Sequence, residues 1–298
     1  MKKSDNKSNL RLSIIILNFN TRKLLDDCLA SLTTIRKEVG FEVIVVDNAS
    51  MDDSVAMVEE KYGWTKLIRS NTNKGFSAGN NMARKYARGE YILFLNSDTT
   101  VPSMTLKTSV QFMDAHPDIG AMTCKTILPS GNVDKDARRS FPTPWVALSH
   151  FLYFDRIFPN SSLFSKYWYG YISADMQHEV DVLQGAYFMT RREILENVDW
   201  FDETYFLNGE DIDLSWKIKN KGWKIMYYPK VSINHIKKGT KKSNKRLHNE
   251  ISGVRAMEIF YRNRMWNKYP LVVNWIVVGG IFVMRILRSI LHYIKRLQ

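Results

Sequence analysis

Residues 91–98 read YILFLNSD, five mostly apolar residues followed at once by three polar ones. The apolar run predicts a fully buried strand, and the polar residues place Asp98 just beyond its carboxyl end. In open α/β sheets, ligands bind in the crevice beyond the carboxyl ends of the strands. A carboxylate there can hold a hard divalent cation, which neutralises phosphate charge. Because Asn, Ser and Asp are also common in capping turns, the stretch by itself leaves both interpretations open.

The chain before this stretch alternates apolar runs with helical patterns. Strands are predicted at 13–17, 41–46 and 66–69. Helices are predicted at 24–32 (capped by Thr21), from a start at 52–54 and at 82–88. This alternation with short connections predicts an α/β fold with a doubly wound, largely parallel sheet. Polar residues follow three of the strands, and we expect Asn18, Asp47 and Asn96 to converge on one crevice.

The second half of the chain is less regular. Residues 126–180 show no clear period, and 11 of the 31 residues from 141 to 171 are aromatic. We interpret this segment as a satellite hydrophobic cluster under a long loop, with sugar stacking and membrane insertion as alternatives. Strands are predicted again at 182–190 and 224–228, and a helix at 211–220 that ends at Gly222. The apolar run 271–284 is shorter than the roughly 20 residues of a spanning helix, so we expect an interfacial or buried helix, with a spanning helix as the alternative.

Composition indicates a folded protein of one large domain or two small ones. The chain has 298 residues, of which 45% are hydrophobic. Its two cysteines, Cys28 and Cys124, form no metal-type spacing and no disulfide framework, which fits a reducing compartment. Residues 1–9 are polar and lack an apolar core segment, so we expect no signal peptide.

The net charge of +13 is unevenly distributed. Residues 214–298 hold 19 Lys and Arg against two acidic residues, whereas residues 1–213 hold 24 basic and 28 acidic residues. Nucleic acid, an anionic membrane and a pyrophosphate-bearing substrate are all suitable partners for such a basic region. We expect no nucleic-acid partner, because no nucleic-acid-binding motif accompanies the charge and an apolar run follows it. Arg138 and Arg139 are interpreted as surface arginines, with acceptor or diphosphate binding as the alternative.

Three elements carry chemistry suited to a metal or to acid–base catalysis. They are the segment ending in Asp98, the pair Glu210 and Asp211 at the start of a predicted helix, and His235 just past a predicted strand. Asp and His together bind Mn²⁺ or Mg²⁺, with the histidine favouring Mn²⁺. Each element also has a structural interpretation, since acidic residues complement helix N-termini and histidines are common on surfaces.

Six segments together resemble an inverting family 2 glycosyltransferase of the GT-A fold, in particular the rhamnosyltransferase-like and galactofuranosyltransferase-like subgroup. The resemblance extends over about residues 12–236. The segments are 13–20 (SIIILNFN), 43–54 (VIVVDNASMDDS), 73–81 (NKGFSAGNN), 91–99 (YILFLNSDT), 185–192 (GAYFMTRR) and 200–214 (WFDETYFLNGEDIDL).

The resemblance implies a division of the chain. Residues 1–10 would form a flexible tail and residues 11–240 a GT-A catalytic domain with a Rossmann-like, mostly parallel sheet flanked by helices. Within it, residues 11–125 would bind the nucleotide sugar and residues 126–240 the acceptor. Residues 241–298 would form a basic and apolar helical extension that associates with a membrane.

The resemblance also implies a role for each site residue. Asp47 would accept a hydrogen bond from the pyrimidine base of the donor. Asp98 and His235 would hold Mn²⁺ or Mg²⁺, and Asp211 would be the general base, with Glu210 beside it. Asn96 replaces the first Asp of the family's DxD motif, which weakens the attraction for metal. The remaining donor-binding residues would be Asn18, Asn20, Asn73, Lys74, Gly75 and Asn96.

The implied activity is transfer of a sugar from a dTDP- or UDP-linked donor, with rhamnose as one option, to a hydroxyl group. The acceptor would be lipid-linked or a nascent cell-surface polysaccharide, and the protein would lie at the cytoplasmic face of the plasma membrane. The alternative is a non-catalytic subunit that binds nucleotide sugar or glycan through a degenerate site, which Asn96 favours. The residues leave the donor sugar and the oligomeric state open.

Overall fold

The computed structural model describes residues 10–237 and 245–296. Its central sheet has nine strands in the order β3-β2-β1-β4-β10-β6-β11-β5, with β8 beside β11, and β7 and β9 pair separately. The strands are β1 (Leu12–Asn18), β2 (Phe41–Asp47), β3 (Lys66–Arg69), β4 (Tyr91–Leu95), β5 (Thr99–Thr100), β6 (Ile119–Ile127), β7 (Arg138–Arg139), β8 (His178–Glu179), β9 (Val182–Leu183), β10 (Tyr187–Arg191) and β11 (Lys224–His235).

The sheet is mixed but mostly parallel, which confirms the predicted fold class. Strands β1 to β4 are mutually parallel where they pair, β10 runs antiparallel between β4 and β6, and β11 runs parallel to β6. Six of the nine strands therefore point the same way, and β5, β8 and β10 oppose them. The carboxyl ends of β1, β2, β4 and β11 consequently meet at one edge.

Helices cover both faces of the sheet. Successive residues of a strand point to opposite faces. Ile14 and Ile16 therefore pack in one core with α1, α2 and α4, while Ile15 packs in the other with α7 and α8. Burial on both faces explains why the strands read as continuous apolar runs. The helices are α1 (Arg22–Thr34), α2 (Ser54–Lys61), α3 (Gly75–Asn81), α4 (Thr105–Ala115), α5 (Pro144–Phe151), α6 (Phe154–Ile157), α7 (Arg192–Val198), α8 (Glu210–Asn220), α9 (Lys245–Phe260) and α10 (Leu271–Arg296).

The helix predicted at 82–88 is wrong in position, because the helical turn lies earlier, at α3, and residues 82–86 form turns. Gly75 begins α3 with φ of +80°, and a Cβ there would lie 2.3 Å from the carbonyl oxygen of Phe206. Only glycine fits such a close approach in this conformation. Thr21 occupies the predicted cap position before α1, but its side chain does not cap the helix, since its hydroxyl donates to Asn18 Oδ1 at 2.6 Å and accepts no helix N–H.

Two of the later predicted strands differ from those observed. The run 182–190 divides into β9 and β10, because residues 184–186 leave the extended pairing between them. Strand β11 does not end at Pro229. It continues to His235 through a register shift between Tyr228 and Ser232, and this irregularity accommodates a residue that cannot donate to the ladder.

The aromatic segment, residues 141–171, was expected to form a hydrophobic cluster covered by a long loop. Only part of this segment is covered. Its carboxyl-terminal flank packs inward, with Tyr169 buried among the core residues. Its tip, comprising α5, α6 and the turn after them, exposes at least 40% of each of eight apolar side chains: Trp145, Leu148, Phe151, Leu152, Tyr153, Ile157, Phe158 and Leu163.

The carboxyl-terminal helix is longer than the sequence predicted. Helix α10 has 26 residues, and its stretch Leu271–Ile290 is long and apolar enough to cross a membrane by length and composition alone. It is not buried, because only 11% of that stretch lies inside the molecule. Asn274 does not interrupt the helix. Its side chain accepts from the Tyr261 hydroxyl at 2.8 Å and donates to the carbonyl oxygens of Trp266 and Tyr269.

The carboxyl-terminal helices are joined to the rest of the fold through α8. Arg264 donates two hydrogen bonds, of 2.7 and 3.2 Å, to the fully buried carboxylate of Asp213. Phe260 stacks against Phe141 and meets Trp216 edge to face. These contacts hold the end of α9 beside Phe141, at the start of the aromatic segment, and Val277 and Val278 of α10 pack against the same cluster. The predicted tail at 1–9 and the lysines at 238, 241 and 242 lie outside the described residues.

Candidate active site

The ends of β1 and β2 are joined by a buried polar pair. Asn18 Nδ2 donates to Asp47 Oδ1 at 3.1 Å and to the Ser50 hydroxyl at 3.0 Å. The other Asp47 oxygen accepts the Ser50 N–H at 3.0 Å. Asn20, which has a φ of +54°, accepts the Met51 N–H through its side chain. The structure thus brings together Asn18, Asn20 and Asp47, which the resemblance assigned to donor binding.

Asn48 links this pair to the segment before α3, and sequence reasoning missed it. Its side chain donates to Asn73 Oδ1 at 2.9 Å and to the Gly75 carbonyl at 3.0 Å, and it accepts the Lys74 N–H at 2.8 Å. The side chains of Asn73 and Lys74 stay exposed, so the Lys74 ammonium is free to meet an incoming anion. Asn48 directly follows Asp47 at the end of β2, and this position was the signal in the sequence that could have identified it.

The polar end of β4 is tied to the end of β1. The Thr21 hydroxyl lies 2.9 Å from the buried Ser97 hydroxyl while it donates to Asn18. Ser97 was given no role from the sequence, yet this contact fixes the loop on which Asp98 sits. Asn96 is half-buried in the same loop, beside Ser97.

Asp98 and His235 form a direct pair at this edge. His235 Nε2 lies 3.1 Å from Asp98 Oδ1, and the two side chains are 4% and 13% exposed. The two-residue strand β5 pairs with the end of β11, so Thr99 lies opposite His235 and the pair is set by sheet register. Burial lowers the pKa of His235, but the carboxylates of Asp134 and Asp98 outweigh it and raise the pKa to about 9.

The pair suits a divalent cation that is also held by a substrate. No cluster of three or more His, Cys, Asp or Glu side chains suited to a metal occurs among the described residues. Mg²⁺ and similar ions in phosphate sites are held by one or two protein ligands together with substrate phosphates and water. A nearly buried carboxylate oxygen and imidazole nitrogen 3.1 Å apart supply such a two-ligand set.

Asp211 and Glu210 lie in the first turn of α8, after Gly209, and their surroundings differ. The Arg139 guanidinium donates to Asp211 Oδ2 at 2.5 Å, and the two side chains are 12% and 13% exposed. Arg139 also donates to the carbonyl oxygens of Asp136 and Leu183, which fixes its orientation. Asp211 is thus paired with a nearly buried cation that fixes the orientation of its side chain.

The interpretation of Arg138 and Arg139 as surface arginines is wrong. Arg138 is 7% exposed, and its guanidinium donates to the carbonyl oxygens of Ile172 and Ser173 and lies over the Tyr227 ring. Strand β7, which carries both arginines, pairs with β9 and so directs them into the domain. Only this pairing, which joins distant segments, reveals their burial.

Glu210 is a buried acid of a different kind. Burial raises its pKa to about 8, and the negative charge of Asp211 adds to the effect. Its Oε2 atom is buried and has no hydrogen-bond partner among the described residues. At neutral pH Glu210 therefore keeps its proton and cannot serve as a proton acceptor.

Replacing Glu210 by glutamine is expected to change the pH dependence of stability. In the unfolded chain the carboxyl ionises near pH 4.5, so between about pH 4.5 and about pH 8 the folded state binds the extra proton. Stability therefore falls as pH rises through this window. Glutamine mimics the neutral acid, so E210Q should flatten the decline and exceed the wild type at pH 8.5 by at least about 2 kcal/mol. Chemical denaturation from pH 5 to 9 measures this, and parallel curves would show that Glu210 is ionised in the folded protein.

One chain of contacts joins the two halves of the site. From Asp98 it runs through His235, whose Nδ1 lies 3.8 Å from Asp134 Oδ2, and then through Asp134 to Lys237, which binds Asp134 at 3.0 Å and Asp136 at 2.7 Å. The Asp136 carbonyl then accepts from Arg139, which binds Asp211. The residues assigned to the metal and to the base therefore belong to one continuous polar network.

The chain belongs to glycosyl transferase family 2, whose family model matches residues 13–199, well over half of the chain. It is 24% identical over 241 residues to the O-antigen biosynthesis protein RfbC of Myxococcus xanthus, a match that covers 78% of this chain but only 18% of that protein. It is 23% identical over 237 residues to the N-acetylglucosaminyl-diphospho-decaprenol L-rhamnosyltransferase of Mycobacterium tuberculosis, and this match covers 76% of each.

A solved structure shares the fold. The mannosyltransferase PcManGT from Pyrobaculum calidifontis, in complex with GDP-Man and Mn²⁺, superposes with a TM-score of 0.57 at 20% identity. The superposition covers 85% of this chain and 63% of the mannosyltransferase. The predicted family and the GT-A fold are thereby confirmed, and the chain is a family 2 glycosyltransferase.

Proposed function

We propose that this enzyme transfers a sugar, with inversion, from a dTDP- or UDP-linked donor to a hydroxyl of a lipid-linked or nascent cell-surface polysaccharide. The observation that carries the proposal is the polar network at the sheet edge, which joins the Asp98–His235 pair to the Arg139–Asp211 pair. The rhamnosyltransferase of M. tuberculosis, matched over three quarters of both chains, supports a lipid-linked acceptor and makes rhamnose the first sugar to test.

The donor would occupy the edge formed by β1, β2 and the start of α3. Asp47 can accept a hydrogen bond from a pyrimidine N–H, since a carboxylate has about four acceptor sites and two are filled by Asn18 and Ser50. Asn20, Asn73 and Gly75 border the same edge. The exposed ammonium of Lys74 offsets phosphate charge there.

Asp98 and His235 would hold Mn²⁺ or Mg²⁺, with Asn96 nearby as a neutral residue. The bound cation would stabilise the negative charge that develops on the leaving nucleoside diphosphate. Asp98 is the only acidic residue in the segment 96–98. In the Asp98–His235 pair it therefore supplies the negative charge that attracts the cation. The complex of PcManGT with GDP-Man and Mn²⁺ supports metal use on this fold.

Asp211 would remove the proton of the acceptor hydroxyl as its oxygen attacks the anomeric carbon. The attacking oxygen forms the new glycosidic bond, the bond to the diphosphate breaks, and the proton passes to Asp211. Arg139 orients Asp211 through a nearly buried contact of 2.5 Å. Glu210 cannot accept this proton at neutral pH, because burial raises its pKa to about 8 and it is already protonated.

A panel of nucleotide sugars tests the proposal. The purified protein is incubated with dTDP-rhamnose, UDP-galactofuranose and UDP-N-acetylglucosamine, with Mn²⁺ or with EDTA, and release of the nucleoside diphosphate is measured. We expect release from one donor, dependent on Mn²⁺ and stimulated by a polyprenyl-diphosphate-linked acceptor. Binding without turnover for every donor would favour the alternative, a non-catalytic subunit, for which the neutral Asn96 is the supporting observation.

We further propose that the enzyme lies on the inner face of the plasma membrane through α10. Nine large apolar residues of this helix are each more than 40% exposed, among them Ile276, Val283 and Leu287. These three recur at spacings of seven and four residues, which places them on one face of the helix. Arg285 and Arg288 supply positive charge suited to anionic lipid headgroups, as does the basic balance of residues 214–298.

Replacing Ile276, Val283 and Leu287 by glutamine should weaken binding to phosphatidylglycerol vesicles at least tenfold. Burial of one such side chain contributes roughly 1.5–3 kcal/mol, and all three are exposed, so the fold should not suffer. Vesicle sedimentation measures the binding, and carbonate extraction separates a helix on the surface from one that spans. The matched control is L148Q/I157Q/L163Q, which removes three exposed apolar residues from the aromatic segment. If only the control variant dissociates, the aromatic segment and not α10 makes the contact.

A further inference from the structure

His235 lies between two carboxylates, only one of which is explained by the metal site. Its Nε2 faces Asp98 at 3.1 Å, and its Nδ1 faces Asp134 Oδ2 at 3.8 Å. His235 and Asp134 are each 3% exposed. The Nδ1 atom is buried and makes no hydrogen bond within the described part of the chain. A buried ring nitrogen without a partner is uncommon, and here an acceptor lies about 0.6 Å beyond hydrogen-bond reach.

Asp134 is held firmly in this position. Its backbone N–H donates to the Thr126 carbonyl at 2.8 Å, which ties it to β6, the neighbour of the strand that carries His235. One of its carboxylate oxygens accepts the Asp136 N–H at 3.1 Å. Lys237 contacts both oxygens, at 3.0 and 3.1 Å. Asp134 is therefore a fixed acceptor placed behind the histidine ring.

We propose that Asp134 is a positioning residue for the metal ligand His235: when the cation is bound, the ring closes the remaining distance, Nδ1–H donates to Asp134, and Nε2 is thereby directed toward the cation beside Asp98. This inference rests on the metal role given to Asp98 and His235 in the proposed function. Histidines that bind metals commonly donate their other ring N–H to a carboxylate, which fixes the tautomer and the orientation of the ring. Asp134 is well placed to give His235 this partner.

Asp136 provides the matched control. It binds the same Lys237 at 2.7 Å and lies two residues from Asp134, but the contacts of its carboxylate are with Lys237 and the Trp168 indole. A role confined to neutralising Lys237 would make the two aspartates equivalent. A role in orienting His235 would make only Asp134 matter for metal binding.

The test measures Mn²⁺ affinity directly, by electron paramagnetic resonance of free Mn²⁺, with Mn²⁺ alone and with UDP or dTDP present. We expect D134A to weaken Mn²⁺ binding 10- to 100-fold. D134N should lose less, because its amide oxygen can still accept from Nδ1–H. D136N should bind Mn²⁺ as the wild type does, and nucleotide affinity in EDTA should be the same in all four proteins. Melting temperatures without metal show whether each variant is folded.

Equal losses in D134A and D136N, or undiminished Mn²⁺ affinity in D134A, would overturn the proposal. If D134A does not fold, D134N is compared with D136N instead. A loss of Mn²⁺ affinity in D134N but not in D136N supports the role of Asp134, and equal Mn²⁺ affinities in the two variants overturn it. A wild-type protein that transfers sugar without binding Mn²⁺ would refute the metal assignment and leave Asp134 no ligand to position. A wild-type protein that binds Mn²⁺ but transfers no sugar would refute only the proposed activity.

Discussion

Replacement of Asp211 by asparagine is expected to lower the turnover number for sugar transfer by at least about 100-fold, the usual contribution of a positioned general base. The amide cannot take the proton of the acceptor hydroxyl, and burial, the main cause of the raised pKa of Glu210, persists in the variant. Donor affinity should be unchanged, because Asp211 lies in the first turn of α8, whereas the residues proposed to bind the donor base lie at the ends of β1 and β2. Single-turnover transfer and nucleotide binding, measured on the same preparation, separate the two effects.

Asp213 offers a matched control on the same helix. It is a fully buried carboxylate paired with an arginine, Arg264, just as Asp211 is paired with Arg139. D213N should therefore lose stability in a similar way but keep its rate of transfer when assayed well below its melting temperature. If D211N transfers sugar near the wild-type rate, or if D211N and D213N lose the same fraction of the transfer rate, Asp211 is not the general base.

Replacement of Asp98 by asparagine should lower transfer by about 100- to 1,000-fold, the range seen when one preorganised electrostatic partner is removed. Asn96 is already neutral, so D98N leaves residues 96–98 without a carboxylate, and His235 alone cannot supply the charge. Mn²⁺ affinity should fall as well, whereas base recognition at Asp47 should persist.

An exposed carboxylate elsewhere serves as the control for D98N. Asp27 pairs with Lys23 on the surface of α1, and D27N should leave both the rate and Mn²⁺ binding unchanged. Calorimetric titration of Mn²⁺ into each variant, beside the rate, completes the comparison. Unchanged Mn²⁺ affinity in D98N would move the metal assignment away from this strand end.

Much of the fold was predictable because its signals are local. The run at 91–95 is apolar throughout, since β4 is buried on both faces, and β1 and β2 are apolar for the same reason. Their polar ends, Asn18 and Asp47, meet because parallel strands end at one edge. Predictions failed where a local pattern competes with a distant contact. The position of α3 depends on the approach of Gly75 to Phe206, which no local periodicity reveals.

The sequence by itself determined the class of the sheet, the family and the residue types at the strand ends, because hydrophobic period and short motifs are properties of neighbouring residues. Only the tertiary structure decided that Arg139 binds Asp211, that Asp134 lies behind His235, and that α10 is exposed and 26 residues long. Arg139 and Asp211 are 72 positions apart, and they meet only because β7 pairs with β9 beside α8. Such contacts depend on how strands reverse and pair across the sheet, and this packing of distant segments leaves no periodic trace in the chain.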